Sequence, residues 1–185
     1  MSTIGLDSGL LVARTGFGLI LAAHGAAKIF GWFGGYGLAA TGGFFEQLGF
    51  RPGRLFAAVA SWAEIVAGLL ITAGFLGPVG PALMLSVMIV AAVTVHWGKG
   101  FFATSNGIEL PLLFATAGVA LALTGPGAYS LDASLGLQAL WSPKAAAIAL
   151  VGGVIGGIGN LMARRRAPSE RGLAALPAKP QDALR

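Results

Sequence analysis

The sequence predicts an all-α fold, a multi-pass bundle of transmembrane helices, and three observations lead to this prediction. Hydrophobic residues make up 56% of the 185-residue chain, and charged residues make up only 10%. The mean hydropathy is +0.80, whereas a soluble globular domain carries roughly a quarter charged residues. The apolar residues also fall into five long runs, and a helix needs about 20 apolar residues to cross a bilayer.

The five runs divide the chain into expected segments. Residues 1–132 are predicted to hold a transmembrane core of four helices, over about 10–30, 55–76, 79–97 and 108–124. The fourth run is short and ends at a Gly-Pro-Gly sequence, which stops a helix. A connection in the membrane interface is expected over 133–144. A fifth transmembrane helix is expected over 145–163, followed by a basic, largely disordered cytoplasmic tail over 164–185.

The first run is expected to stay in the protein as a helix. A cleaved signal peptide needs positive charge ahead of its apolar stretch. The segment "MSTIGLDSG" offers none, and Arg14 lies inside the run. Small residues at Gly18, Ala22 and Ala26 recur every four positions along this helix, a spacing that lets another helix approach closely.

The basic residues predict the orientation of the helices, because cytoplasmic loops are enriched in lysine and arginine. On one side of the runs lie Lys28, Arg51, Arg54, Lys99, Arg164, Arg165, Arg166, Arg171, Lys179 and Arg185. The loops on the other side hold only Lys144. We therefore expect a protein of the plasma or inner membrane, with its N-terminus outside and its C-terminus in the cytoplasm.

Charge and composition also exclude several classes of function. The net charge of +5 follows from the topology and from attraction to anionic lipid, so no nucleic-acid partner is expected. The absence of cysteine excludes thiolate catalysis and iron–sulfur clusters held by this chain. No phosphate-binding glycine motif occurs, and no metal site is predicted.

The fifth run carries two glycine pairs at G-x-x-x-G spacing. They are Gly152 with Gly156 and Gly153 with Gly157. This spacing permits close helix contact and predicts association, either with a partner helix or with a second copy of the chain. The alternative is that glycine is simply common here, with 30 in the chain.

A few ionisable residues lie in or beside the apolar runs. A charged side chain at the centre of a membrane helix costs about 2.5 to 3.5 kcal/mol, so such residues usually face the bundle interior and have partners. The topology is expected to gather most of them into one layer on the cytoplasmic side. The candidate polar cluster is Arg14, His24, Lys28, Glu64, His96 and Glu109.

Each member of this cluster also has an ordinary structural interpretation. Lys28 could extend to the membrane interface, and Glu64 could form a structural ion pair with Lys28 or Arg14. Glu109 fits the N-terminus of a helix, where the dipole favours a negative charge. His24 could be a hydrogen-bonded core histidine. His96, beside Trp97, fits an aromatic belt at the headgroups.

Several stretches of the chain resemble the DoxX family of small integral membrane proteins. They are "ARTGFGLILAAHGAAKIFG", "ASWAEIVAGLLITAGFLGPVGPAL", "VHWGKGFF", "NGIELPLLF" and "LTGPGAYSLD". The resemblance covers about Leu11 to Asp132. It implies a bundle of four transmembrane helices and an accessory role in oxidoreductase or oxidative-stress systems, because the family is named through membrane subunits tied to quinone-linked sulfur oxidation. A fifth apolar run goes beyond the family pattern.

Three functions remain open from the sequence. The first is a subunit of a membrane oxidoreductase with membrane or soluble redox partners, its quinone lying near Trp62 and Trp97 and its protons relayed by histidine and carboxylate groups. His24 and His96 could in principle ligate haem b, but two histidines near a membrane edge are weak evidence, so haem is not expected. The second is a small proton or solute transporter. The third is a scaffold that recruits soluble enzymes.

Overall fold

The computed structural model describes residues 3–165, and this part of the chain is a bundle of α-helices with no strand. The helices are α1 (Thr3–Phe30), α2 (Gly37–Gln47), α3 (Gly53–Ala73), α4 (Val79–Ala91), α5 (Glu109–Thr124), α6 (Leu131–Ser134) and α7 (Pro143–Met162). A π-helical turn, Ala92–His96, continues α4. Most of the tail expected over 164–185 lies outside the described residues.

Four of these helices are long and apolar enough to cross a membrane. They are α1, α3, α4 with its π-helical turn, and α7. The apolar helix α5 has 16 residues and is about 24 Å long, somewhat shorter than the hydrocarbon core of about 30 Å. Large apolar side chains such as Val12, Leu69 and Ile148 are exposed on the outside of the bundle, where lipid would cover them. The predicted all-α multi-pass membrane bundle is confirmed.

The helix boundaries differ from the expected ones for local reasons. Helix α1 begins at Thr3, seven residues before the expected Leu10, and α7 begins at Pro143. Ser142 caps α7 by accepting a hydrogen bond from the Ala145 N–H at 3.3 Å, and proline suits the first helical position because it needs no hydrogen-bond acceptor there. Helix α2 has 11 residues, too few to cross a bilayer, so the search for long apolar runs passed over it.

The bundle has two chemically different ends. We call one the basic end, because it carries Lys28, Arg51, Arg54, Lys99, Arg164 and Arg165 in the described chain. The helices α1, α4 and α7 finish there, and α3 and α5 begin there. At the opposite end the α3–α4 turn is held by Asp132, whose carboxylate accepts hydrogen bonds from the Leu76 and Gly77 N–H groups at 3.0 and 2.7 Å.

The central contact of the bundle joins α1 and α3 in antiparallel orientation. Gly18 packs on Gly68 near one end of this contact, and Gly25 packs on Ser61 near the other. A Cβ placed on Gly18 would lie 2.6 Å from the Gly68 carbonyl oxygen, closer than van der Waals contact allows. The helices therefore meet backbone to backbone, as the small residues of the first run predict.

The remaining helices complete the core around this pair. Where α1, α3, α4 and α5 meet, the buried apolar cluster consists of Leu21, Ala67, Ile71, Met84, Met88 and Leu121. Helix α7 packs on α4 through Gly153, which lies against Ala82, and Gly157, which lies against Ile89. One glycine pair expected to mediate association is thus used within the chain, whereas a Cβ on Gly152 would meet nothing within 4 Å.

The close α1–α3 contact gives a stability prediction. We expect Gly18→Ala to destabilise the protein by about 1 to 3 kcal/mol, because the added methyl group forces the two helices apart. Gly16→Ala, two residues earlier on the same helix, is the matched control, since its Cβ would meet nothing within 4 Å. Unfolding midpoints in detergent measure both. Equal midpoints for the two variants would contradict the close contact.

Candidate functional site

The carboxyl group of Glu64, one of two buried carboxyl groups in the described residues, is positioned by the close approach of α1 and α3. Glu64 lies on the face of α3 that meets Gly25 of α1, and a Cβ on Gly25 would lie 3.0 Å from the Glu64 Cβ and 2.5 Å from the Ser61 carbonyl oxygen. Only a residue without a side chain fits there. As a result Glu64 is 1% exposed, far from bulk water.

Lys28 supplies the counter-charge of Glu64. Its Nζ donates to the Glu64 Oε1 at 2.6 Å, and this is the only ion pair found within residues 3–165. Side chains on a helix lean toward its N-terminus, so Lys28 reaches back by about one turn to the level of Glu64. The Lys28 side chain is 26% exposed, and the pair therefore joins a buried carboxylate to a partly accessible ammonium group.

The second carboxylate oxygen of Glu64 is the unusual feature of this pair. The Oε2 atom is buried and has no hydrogen-bond partner within the described part of the chain. A buried polar atom without a partner costs about 1 to 3 kcal/mol, and more when it is charged. Such an atom is a candidate for binding a proton, a water molecule or a ligand group.

His24 lies one helical turn before Lys28 on α1 and is exposed. Phe17, seven residues earlier on the same stripe, packs edge-on against Phe114 of α5, with ring centroids 5.3 Å apart. His24 lies about 10 Å closer to the basic end than Phe17, and α5 begins about 8 Å from Phe114 in that direction. His24 therefore lies beyond the Phe17–Phe114 contact, nearer the basic end of the bundle.

Helix α2 fastens the end of α1 next to this pair. The Thr41 hydroxyl donates to the Lys28 carbonyl oxygen at 3.2 Å and to the Gly37 carbonyl oxygen at 2.8 Å. Thr41 is buried, so it fixes the backbone from which the Lys28 side chain extends. Thr41 was not predicted from the sequence as part of the site. The glycines near Gly37 were the signal in the sequence that a separate short helix begins there.

His96 and Glu109 lie at the same end of the bundle but bond to the loop between α4 and α5. The His96 Nδ1 lies 2.8 Å from the Asn106 carbonyl oxygen. The Glu109 Oε2 accepts a hydrogen bond from the Ala103 N–H at 2.7 Å. Neither side chain makes a hydrogen bond to Lys28 or Glu64, and both hold the loop in place.

Arg14 lies far from the pair, at the opposite end of the bundle. It is fourteen residues before Lys28 on α1, a distance of about 21 Å. Arg14 is 3% exposed, and its guanidinium donates to the carbonyl oxygens of Thr72, at 3.4 Å, and Tyr129. Thr72 is in the last turn of α3, where the helix dipole stabilises a cation. The structure does not bring Arg14 together with His24 and Lys28.

The two tryptophans expected near a quinone lie on the surface. Trp62 is two residues from Glu64 on α3, so the two side chains leave the helix on nearly opposite sides. Trp62 packs against Phe30 at the basic end, with ring centroids 6.2 Å apart. Trp97 follows the π-helical turn and is 73% exposed. No group of three or more potential metal-ligating side chains converges within residues 3–165.

Comparison with known proteins gives one family. The model of the DoxX family matches residues 9–97, a little under half of the chain. This range includes the whole α1–α3 contact, the Lys28–Glu64 pair and both histidines, and it ends before Glu109. No curated protein and no solved structure matches the chain.

The buried pair gives a second stability prediction. We expect Lys28→Met to destabilise the protein by about 3 to 5 kcal/mol, because it leaves the Glu64 carboxylate buried without a counter-charge. The double variant Lys28→Met with Glu64→Gln carries no buried charge at this place and should recover most of the loss. Unfolding in detergent measures both variants. Lys99→Met, in an exposed loop, is the control, and a loss no larger than that of the control would contradict a buried ion pair.

Proposed function

Because the chain belongs to the DoxX family of small integral membrane proteins, we propose that it is an accessory membrane subunit of a quinone-linked oxidoreductase. One observation carries the proposal: the Glu64 carboxylate is paired with Lys28 through one oxygen and has a second oxygen that is buried and free of partners within the described residues. An ionisable residue buried in a membrane helix is by default a candidate functional group. Quinone is the expected electron carrier because of the family resemblance.

The ionisable residues of this chain are suited to the proton transfers of such a reaction. When bound, a quinone takes up or releases two electrons and two protons. Lys28 keeps the Glu64 carboxylate in place through Oε1, and the unpartnered Oε2 can accept a proton. His24 is exposed one turn away, and histidine exchanges protons near neutral pH. A quinone head group bound at the surface of α1 would meet the exposed His24, and the buried Glu64 would hold a proton next to it.

The distribution of basic residues supports an orientation for this subunit. We infer that the basic end faces the cytoplasm, because positively charged loops favour that side of the plasma or inner membrane. The N-terminus would then lie outside and the C-terminus inside. His24 and the Lys28–Glu64 pair would exchange protons with the cytoplasmic side, and redox partners in the membrane or in solution would bind there.

A scaffold is the second candidate function. It is favoured by the hydrogen bonds of Arg14, His96 and Glu109, all of which go to backbone groups of loops or helix ends. Under this hypothesis the Lys28–Glu64 pair locks α1 to α3 and takes no part in a reaction. Transport of protons or a small solute through the bundle is the third candidate.

The functional test uses the complex purified gently from membranes with its natural partners. We expect Glu64→Gln and His24→Phe to lower quinone-linked turnover by about 10²-fold or more, as loss of a general acid–base group does. The recovery of partners should stay unchanged, and Glu64→Gln should lose much less stability than Lys28→Met, because the Lys28 side chain that it leaves unpaired is 26% exposed. Glu46→Gln is the matched control, because a glutamine there can still accept the hydrogen bond from the Gly53 N–H.

Each other result selects a different function. Normal turnover in both variants would overturn the redox proposal. Loss of stability together with loss of partners would indicate a scaffold. Proton or solute flux in liposomes that disappears in Glu64→Gln, with normal redox turnover, would indicate a transporter.

A further inference from the structure

Four arginines come together at the basic end, around the turn between α2 and α3. We call Arg51, Arg54, Arg164 and Arg165 the arginine cluster. After α7 ends, the chain runs to this turn: the Arg165 N–H donates to the Gly49 carbonyl oxygen and the Arg164 Nε donates to the Leu48 carbonyl oxygen, both at 2.8 Å. Arg51 and Arg54 lie immediately after this turn. All four residues are exposed.

The buried ring of Phe50 lies beneath the guanidinium group of Arg164. The Arg164 guanidinium carbon lies 5.9 Å from the centre of the Phe50 ring, within the range of a cation–π interaction. Phe50 is 1% exposed and packs against Phe45 and Phe56. Arg164 is therefore held by its Nε and by its ring contact, although the residue as a whole is exposed.

The cluster has little compensating negative charge. None of its arginines forms an ion pair in the described chain, where the only ion pair joins Lys28 and Glu64. The carboxylate nearest in sequence, Glu46, accepts a hydrogen bond from the Gly53 N–H at 3.2 Å. Arg51 and Arg54 also flank the start of α3, where the helix dipole disfavours a cation. Because these four guanidinium groups have no carboxylate partner in the described chain, an anion from outside the chain would stabilise them.

The position of the cluster identifies the anion. It lies at the ends of the apolar helices α3 and α7, and a bilayer crossed by these two helices would place its phosphate groups near their ends. Exposed apolar side chains continue from it toward the membrane centre, with Leu55 and Val59 on α3 and Met162 on α7. A phosphodiester with attached acyl chains satisfies both features, whereas a free phosphate ion satisfies only the charge. Guanidinium groups bind phosphate oxygens through paired hydrogen bonds.

From these contacts we propose that the arginine cluster is a binding site for the headgroup of an anionic phospholipid such as phosphatidylglycerol. Arg164 and Arg165 fix the far end of the chain on the α2–α3 turn, and Arg51 and Arg54 bind the phosphate. The acyl chains lie along the outer faces of α3 and α7. The site is independent of the Lys28–Glu64 pair, so it stands whether or not the protein acts with a quinone.

The test measures binding of spin-labelled phosphatidylglycerol to the full chain in detergent, with spin-labelled phosphatidylcholine for comparison. We expect phosphatidylglycerol to bind more tightly. The double variant Arg51→Gln with Arg54→Gln should lower the affinity for phosphatidylglycerol about thirtyfold. Each basic residue near an anionic lipid surface raises the affinity by about five- to sixfold, and the variant removes two of them. These two side chains make no hydrogen bond to another residue within 3–165, so the variant is expected to fold, and its unfolding midpoint checks this.

The matched control is the double variant Lys99→Gln with Lys144→Gln, which removes the same charge elsewhere on the protein. Its affinity for phosphatidylglycerol should stay within about twofold of the unchanged protein. Equal loss in the two double variants would show general charge attraction and overturn the site. Equal binding of the two lipids, or displacement of the labelled lipid by millimolar inorganic phosphate, would also overturn it.

Discussion

The structure depends on the backbone contact between α1 and α3. Gly18 against Gly68 and Gly25 against Ser61 bring the two helices close enough to exclude both lipid and water. A carboxylate in that place has no solvent to stabilise it, so Glu64 needs the ammonium group of Lys28. Close packing, a buried charge and its counter-charge are therefore linked, and a change to any one of them alters the other two.

The same constraint explains how the ends of the helices are held. Backbone N–H and C=O groups at the end of a membrane helix have no partner within the helix, so another part of the protein must supply their hydrogen bonds. At the end opposite the basic end, the Asp132 carboxylate accepts hydrogen bonds from the N–H groups of Leu76 and Gly77. At the same end, the Arg14 guanidinium donates a hydrogen bond to the carbonyl oxygen of Thr72. At the basic end Glu109 and His96 bond to the loop between α4 and α5. Several ionisable side chains of the bundle thus satisfy its backbone, whereas Glu64 bonds to the side chain of Lys28.

Much of the fold followed from the sequence because it depends on physical patterns that act along the chain. Long apolar runs indicated membrane helices, and the small residues of the first run indicated a close helix partner. The pairing of Lys28 with Glu64 was among the structural alternatives, since both residues need a partner in an apolar setting. Helix α2 was missed because it is short, and its buried Thr41 acts through a contact that only the folded chain creates.

The position of Arg14 could not be read from the sequence for a related reason. Its place on the helix surface suggested a shared face with His24 and Lys28, but along the helix axis Arg14 lies about three turns from His24 and about four turns from Lys28. What Arg14 binds depends on where α3 ends and on how the chain near Tyr129 returns to the bundle. Likewise Gly153 and Gly157 suited contact with any helix, and α4 of the same chain occupies them.

The tie between Arg164 and Leu48 joins residues that are 116 positions apart. A ribosome adds about 5 to 20 residues per second, so the α2–α3 turn is complete on the order of ten seconds before its partner is synthesised. During that interval Phe50 lacks the guanidinium that later covers it. The contact that fastens the end of α7 to the α2–α3 turn can therefore form only after all the earlier helices have been synthesised.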